Sequence, residues 1–137
     1  MYEAPILQKQ IDALKSQGML EYDTGPWGAT SILAAKPHQE LVHFKDYIWR
    51  MAINYHKLNQ VTKPFCHPIR RCDDAVQDLG DSRFLLSMDL DLGFHQVSVS
   101  AGSRIKLAFY GPDGRRYRYT GMPFGPVNAP PVFICMM

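Results

Sequence analysis

The sequence predicts an α+β fold, and three observations carry that expectation. Leu7, Ile11 and Leu14 recur at helical spacing between Pro5, suited to a first helical turn, and Gly18, suited to a stop. Strand-type runs follow at 31–35 (SILAA) and 49–55 (WRMAINY), and again from residue 84 onward. The GPDG segment at 111–114 separates two further runs, 106–110 and 115–120, with residues that turn a hairpin.

The remaining elements follow in chain order. Residues 23–28 (DTGPWG) are turn chemistry. The stretch 36–48 is too long for a tight hairpin and reads as a flap between two strands. Residues 73–79 suit a short helix with Cys72, Val76 and Leu79 on one face and Gly80 as its stop. Residues 84–90 are nearly all apolar yet run into Asp89 and Asp91, as a buried strand delivering carboxylates at its end does. Val97 and Val99 alternate with Ser98 and Ser100, the pattern of a half-buried strand. Residues 121–131 read as a loop, near whose end Asn128 or Ala129, followed by Pro130, can open a helix. That helix has barely two turns before Met137, which suggests a truncated domain.

Composition narrows the class. A length of 137 residues is one ordinary domain. With 46% hydrophobic and 20% charged residues the chain can bury a core, so collagen-like and disordered readings are excluded. Fifteen Lys and Arg against thirteen Asp and Glu leave a net charge of +2, too even to argue for or against nucleic acid. No apolar run approaches the roughly 18 residues of a membrane span, and the N-terminus has no signal-peptide pattern. Cys66, Cys72 and Cys135 form neither an even disulfide framework nor a Cys-x-x-Cys pair. Reduced thiols in an intracellular protein, cytoplasmic or nuclear, are expected. The five histidines lack helical or Cys-paired ligand spacing, which argues against zinc.

Three blocks stand in order: WRMAINYHKLN (49–59), SMDLDLGFHQ (87–96) and MPFGPVNAP (122–130). Together they resemble the reverse transcriptase of gypsy-type LTR retrotransposons and, more distantly, of retroviruses. Supporting matches are Pro26-Trp27, LNQVT (58–62), Asp73-Asp74 at a helix start and KLAF (106–109). The resemblance implies the fingers and partial palm of a right-hand polymerase, a mainly antiparallel sheet with helices on one face. Residues 1–83 then form the fingers and N-terminal helix region, and 84–137 the partial palm. The family's aromatic-x-Asp-Asp block has no counterpart among the 137 residues.

The family chemistry is in-line displacement at a nucleotide phosphate, supported by two divalent ions. By resemblance Asp89 is the catalytic, metal-binding aspartate, and the Leu90 carbonyl also reaches the metal, expected to be Mg2+. From its position alone Asp89 reads rather as a strand-end carboxylate in water. Asp91 has no family role as a ligand and reads as its solvated neighbour. Leu92 and Gly93 match residues whose backbone N–H groups meet the triphosphate, and Gly lets the chain approach closely. Phe94 matches the aromatic gate beneath the sugar, which excludes a 2′-hydroxyl. Its spacing alone fits a core aromatic as well. Arg50 matches the fingers arginine that closes on the triphosphate. Its lysine partner is Lys36, aligned from the strand before the flap, or Lys45, aligned back from Trp49. Phe124 stands near the incoming base and sugar.

The 104–118 segment carries five basic residues and one acid with interleaved tyrosines; it suits a nucleic-acid track or a solvated hairpin face. The family's usual Val-Asp-Tyr-Arg is Ile53-Asn54-Tyr55-His56 here, so a pairable acid and base are both replaced. Pro126 and Pro131 are further departures, and Pro131 removes a helix-start N–H. Two functions are therefore expected. In the first, the chain is a piece of a reverse transcriptase that copies an RNA or DNA template-primer with deoxynucleotide triphosphates, and is inactive alone. In the second, it is a decayed or co-opted fragment that serves as a structural or protein-interaction subunit.

Overall fold

The first helix forms where its spacing places it, as α1 (Glu3–Ser16), in the computed structural model, which describes residues 3–35, 48–68, 71–80 and 82–137. Glu3 in its first turn and Lys15 in its last both complement the helix dipole. Gly18, at φ 72°, takes the left-handed conformation that ends a helix at low cost. Leu7 and Ile11 are buried and Leu14 packs beside them. Each fully buried side chain of this kind contributes about 1.5–3 kcal/mol.

Five strands make one sheet: β1 (Leu20–Tyr22), β2 (Ala29–Ala35), β3 (Trp49–Asn54), β4 (Phe109–Tyr110) and β5 (Arg116–Tyr119). Their order is β1-β5-β4-β2-β3. The β2–β4 pairing is parallel and the other three are antiparallel, so the sheet is mainly antiparallel as expected. It draws strands from both sides of residue 83. The β4–β5 hairpin closes through Gly111 N–H on the Arg115 carbonyl at 2.8 Å, with Gly114 at φ 76°.

Four short helices complete the described elements: α2 (His56–Val61), α3 (Cys72–Gln77), α4 (Ala101–Arg104) and α5 (Ala129–Met136). α5 carries proline at its start, where the missing N–H has no intrahelical partner to lose. The main core gathers Leu7 and Ile11 of α1 with Leu20, Ile53, Tyr55, Leu107, Phe109, Tyr117 and Tyr119. The Tyr55 hydroxyl, buried there, donates to the Leu107 carbonyl at 2.8 Å. A second, smaller core joins Val97, Met122 and Ala129, with Phe94, Val99, Val132 and Phe133 against it.

Three expected strands are corrected. Residues 84–90 form no strand: the segment is irregular, with Phe84 93%, Leu86 83% and Met88 84% exposed. The run has strand composition, but no described segment pairs with it, and a strand without a partner leaves its backbone groups to water. Residues 97–100 keep their alternating burial yet make a single bridge, Ser98 to Gly121, instead of a strand. Of residues 106–110, only Phe109 and Tyr110 lie in a strand; 105–107 form a 3-10 turn continuing α4. Strand β1 and helices α2 and α4 were not expected, nor was the exposure of Val76 and Leu79 beside α3. The flap, and Lys36 and Lys45 with it, lies outside the described residues.

Candidate nucleotide site

The SMDLDLGFHQ block folds as a sharp turn. Leu92 has φ 50° and ψ 35°, the one positive φ among the described non-glycine residues. Left-handed backbone is costly for a branched side chain and persists only where its surroundings impose it. The His95 N–H donates to the Leu92 carbonyl at 2.8 Å, and the Gln96 side-chain amide to the Asp91 carbonyl at 2.7 Å. Residues Gly93–Gln96 then make one 3-10 turn. A Cβ on Gly93 would stand 3.1 Å from the Phe133 ring and 3.2 Å from the Leu90 Cβ, so this glycine admits close packing of the turn on α5.

Phe94 lies between two rings. It stacks on Phe133 at 4.6 Å between centroids, and Phe124 tilts against it at 4.6 Å. Phe124 remains 57% exposed. The fold therefore brings Gly93, Phe94 and Phe124 to one place from two separate blocks. Beside them His95 stacks on Tyr119 at 5.3 Å and meets Phe124 edge-on at 5.6 Å. Burial holds the His95 imidazole below its ordinary pKa, outweighing an opposing hydrogen bond to the Met122 backbone. Gly121 lies against the same residue: a Cβ there would overlap the His95 carbonyl.

The carboxylates are less constrained. Asp89 and Asp91 are exposed, Asp89 on the irregular segment rather than at a strand end, and Leu90 is exposed beside them. Among the described residues no three His, Cys, Asp or Glu side chains converge to hold a metal. Asp89 on the irregular segment and Asp91 at the turn after it do not by themselves complete the two-ion magnesium centre expected. Arg50 is exposed on β3, opposite Ala34 of β2.

The basic hairpin has other partners. Arg118 pairs with Glu21 at 2.7 Å and with the buried carboxylate of Asp23 at 3.4 Å, and Arg116 approaches Asp23 at 4.0 Å. Arg115 donates to the Tyr22 hydroxyl at 3.2 Å, and Arg104 to the Val99 carbonyl at 2.8 Å. These guanidinium groups secure β5, β1 and the α4 turn. Asn54, which stands where the family has an acid, accepts the His56 N–H at 3.0 Å and so turns the chain into α2. An amide oxygen fills that role as a carboxylate does.

Two residues that the sequence did not mark as site residues, Asn59 and Asn128 (the latter expected only as a possible helix start), tie the loop down. Asn59 donates to the Gly125 carbonyl and accepts the Val127 N–H, each at 2.9 Å. Asn128 accepts the Phe65 N–H at 2.8 Å and donates to the Lys63 carbonyl at 3.0 Å. Both stand inside the quoted blocks, and an amide side chain offering donor and acceptor together was the available signal. A cavity of about 610 Å3 adjoins Asn128, lined also by Trp27, Leu58, Val97, Lys106 and Val132 among others.

The mainly antiparallel sheet and the glycine-aromatic turn facing a second aromatic loop accord with a reverse transcriptase. The chain belongs to that family: residues 43–137 match the family model described as reverse transcriptase (RNA-dependent DNA polymerase). Its relatives include the retrovirus-related Pol polyprotein from transposon 297 of Drosophila melanogaster, 32% identical across 93% of this chain and 12% of the relative. The corresponding polyprotein from transposon gypsy of the same organism is 25% identical across 93% of this chain and 12% of the relative. Among solved structures, a prototype foamy virus protease-reverse transcriptase mutant superposes with a TM-score of 0.76 at 24% identity, covering 97% of this chain and 17% of that one. A foamy viral protease-reverse transcriptase in complex with RNA/DNA hybrid gives 0.73 at 23%, covering 99% and 17%. The chain thus spans about an eighth of the curated relatives' length. No helix among the described residues is long and apolar enough to cross a membrane.

Proposed function

We propose that this chain supplies the nucleotide-facing part of an RNA-directed DNA polymerase and performs no catalysis alone. The observation that carries the reading is the meeting of Gly93, Phe94 and Phe124 at a strained turn, with Asp91 at the start of that turn and Asp89 on the irregular segment before it. In this reading Phe94 excludes the 2′-hydroxyl, and Leu92 and Gly93 offer backbone N–H groups to the triphosphate. Arg50, with Lys36 or Lys45, meets the phosphates from the fingers. Asp89 and the Leu90 carbonyl contribute to a magnesium site that needs further carboxylates from the complete enzyme. Partners are an RNA or DNA template-primer and deoxynucleotide triphosphates, in the cytoplasm or nucleus. Residues 1–83 correspond to fingers and 84–137 to partial palm.

The test is a chimaera completed with the remaining palm and thumb of a related enzyme. Phe94→Ala should raise ribonucleotide use relative to deoxyribonucleotide use, because the barrier under the sugar is gone. Arg50→Ala should weaken both nucleotides alike, by about 1.5–3 kcal/mol, or roughly tenfold or more in kcat/KM. An unchanged sugar preference in an active Phe94→Ala chimaera returns Phe94 to the core.

The exposed apolar run at 84–90 favours a second reading, a co-opted subunit that binds a protein through this surface. A protein partner covering 84–90 and the Phe94 turn supports that reading; nucleic acid bound there supports the first.

A further inference from the structure

The loop that carries Phe124 is anchored at its flanks by buried Met122, Pro123 and Ala129, but its tip is open: Phe124 is more than half exposed and Val127 is 38% exposed. Its position nonetheless sets the ring that tilts on Phe94. Four hydrogen bonds tie this loop to the segment after β3, and all four use the amide side chains of two asparagines. Asn59 reaches from α2 to Gly125 and Val127, on either side of Pro126. Asn128 reaches back from the loop to Lys63 and Phe65, on either side of Pro64. Each prolyl residue lacks an N–H, and each asparagine bonds the backbone groups flanking one. The two brackets are reciprocal, each amide serving as donor and acceptor at once. Between them Gly125, at φ 105°, lies against the Tyr55 ring, where a Cβ would stand 3.1 Å away.

We infer that Asn59 and Asn128 are the positioning residues of the candidate nucleotide pocket, a reciprocal bracket that holds Phe124 against Phe94. The inference rests on the reading of those two rings as nucleotide-facing. It adds that the fingers-side segment 59–65 sets their spacing. Removing either amide frees the loop while the main sheet, whose core lies in α1 and β1–β5, stays intact.

The experiment uses the 137-residue chain and needs no catalysis. Inter-ring nuclear Overhauser contacts between Phe94 and Phe124 report the loop, hydrogen exchange at Val127 and Phe65 reports each bracket, and the Phe109 and Tyr117 amide shifts report the sheet. Asn59→Ala should speed Val127 exchange at least tenfold and reduce the ring contact by more than half, with sheet shifts unchanged. Asn128→Ala should do the same with Phe65 as the exposed amide. Asn59→Asp, which keeps the acceptor and loses the donor, should restore protection at Val127. An undiminished ring contact in both alanine variants overturns the inference. So does collapse of the sheet together with the loop, since the asparagines would then hold the fold rather than the pocket. Failure of the sugar-selectivity test in the chimaera, with the brackets behaving as described, removes the nucleotide reading and leaves the bracket standing.

Discussion

His95 shows how one side chain ties the pocket to the sheet. Its ring lies between Tyr119 of β5 and Phe124 of the loop, and its buried Nδ1 has no hydrogen-bond partner. Because burial lowers the folded pKa below the unfolded value near 6.5, the unfolded chain takes up the proton first. The stability from neutral His95 is therefore complete above about pH 6.5 and declines as the pH falls toward the folded pKa. The urea midpoint should drop between pH 7 and pH 5, and His95→Phe should flatten that slope. A midpoint that rises on acidification, or an equal slope in the variant, would count against this placement. The sugar selectivity proposed for Phe94 belongs to the same scale, because it would depend on one ring and the space beneath one hydroxyl.

At the scale of elements, the segment 84–90 is the main departure from sequence expectation. Its residues have strand propensity, and propensity alone does not make a strand: the backbone needs a neighbour to bond. Phe84, Leu85, Leu86 and Met88 are consequently left in water, a contiguous apolar run of the kind that drives association. Leu86→Lys should reduce light scattering of the concentrated chain and leave its melting temperature within about 2 °C, because exposed side chains away from special features contribute little to stability. A large fall in melting temperature would show that Leu86 is packed in solution. The hairpin at 111–114 is the opposite case. There the glycines and Asp113 agree locally with the turn they form, although the strand before it is reduced to Phe109 and Tyr110.

For the whole molecule, the decisive quantity is the number of carboxylates in one place. In-line phosphoryl transfer with two ions needs several, and the described residues bring together none in threes. The isolated chain should show no primer extension above a no-protein control, with magnesium or manganese. Template-dependent extension abolished by Asp89→Asn would instead mean that a partner chain completes the centre.

What the sequence determined by itself was whatever short-range chemistry encodes. The periodicity of Leu7, Ile11 and Leu14, the turn residues of GPDG and the three ordered blocks were enough for α1, the β4–β5 hairpin, strands β2 and β3, and the family. Tertiary structure decided where pairing partners exist, and so denied a strand to 84–90 and reduced 97–100 to one bridge. It also decided which polar groups meet. Arg116 and Arg118 turned inward to Asp23, a contact no local pattern announces. Asn59 bonded the backbone of Gly125 and Val127, and Asn128 that of Lys63 and Phe65, across more than 60 residues of chain. A side-chain amide carries the same donor and acceptor wherever it stands, and only the folded path of the chain selects what it bonds.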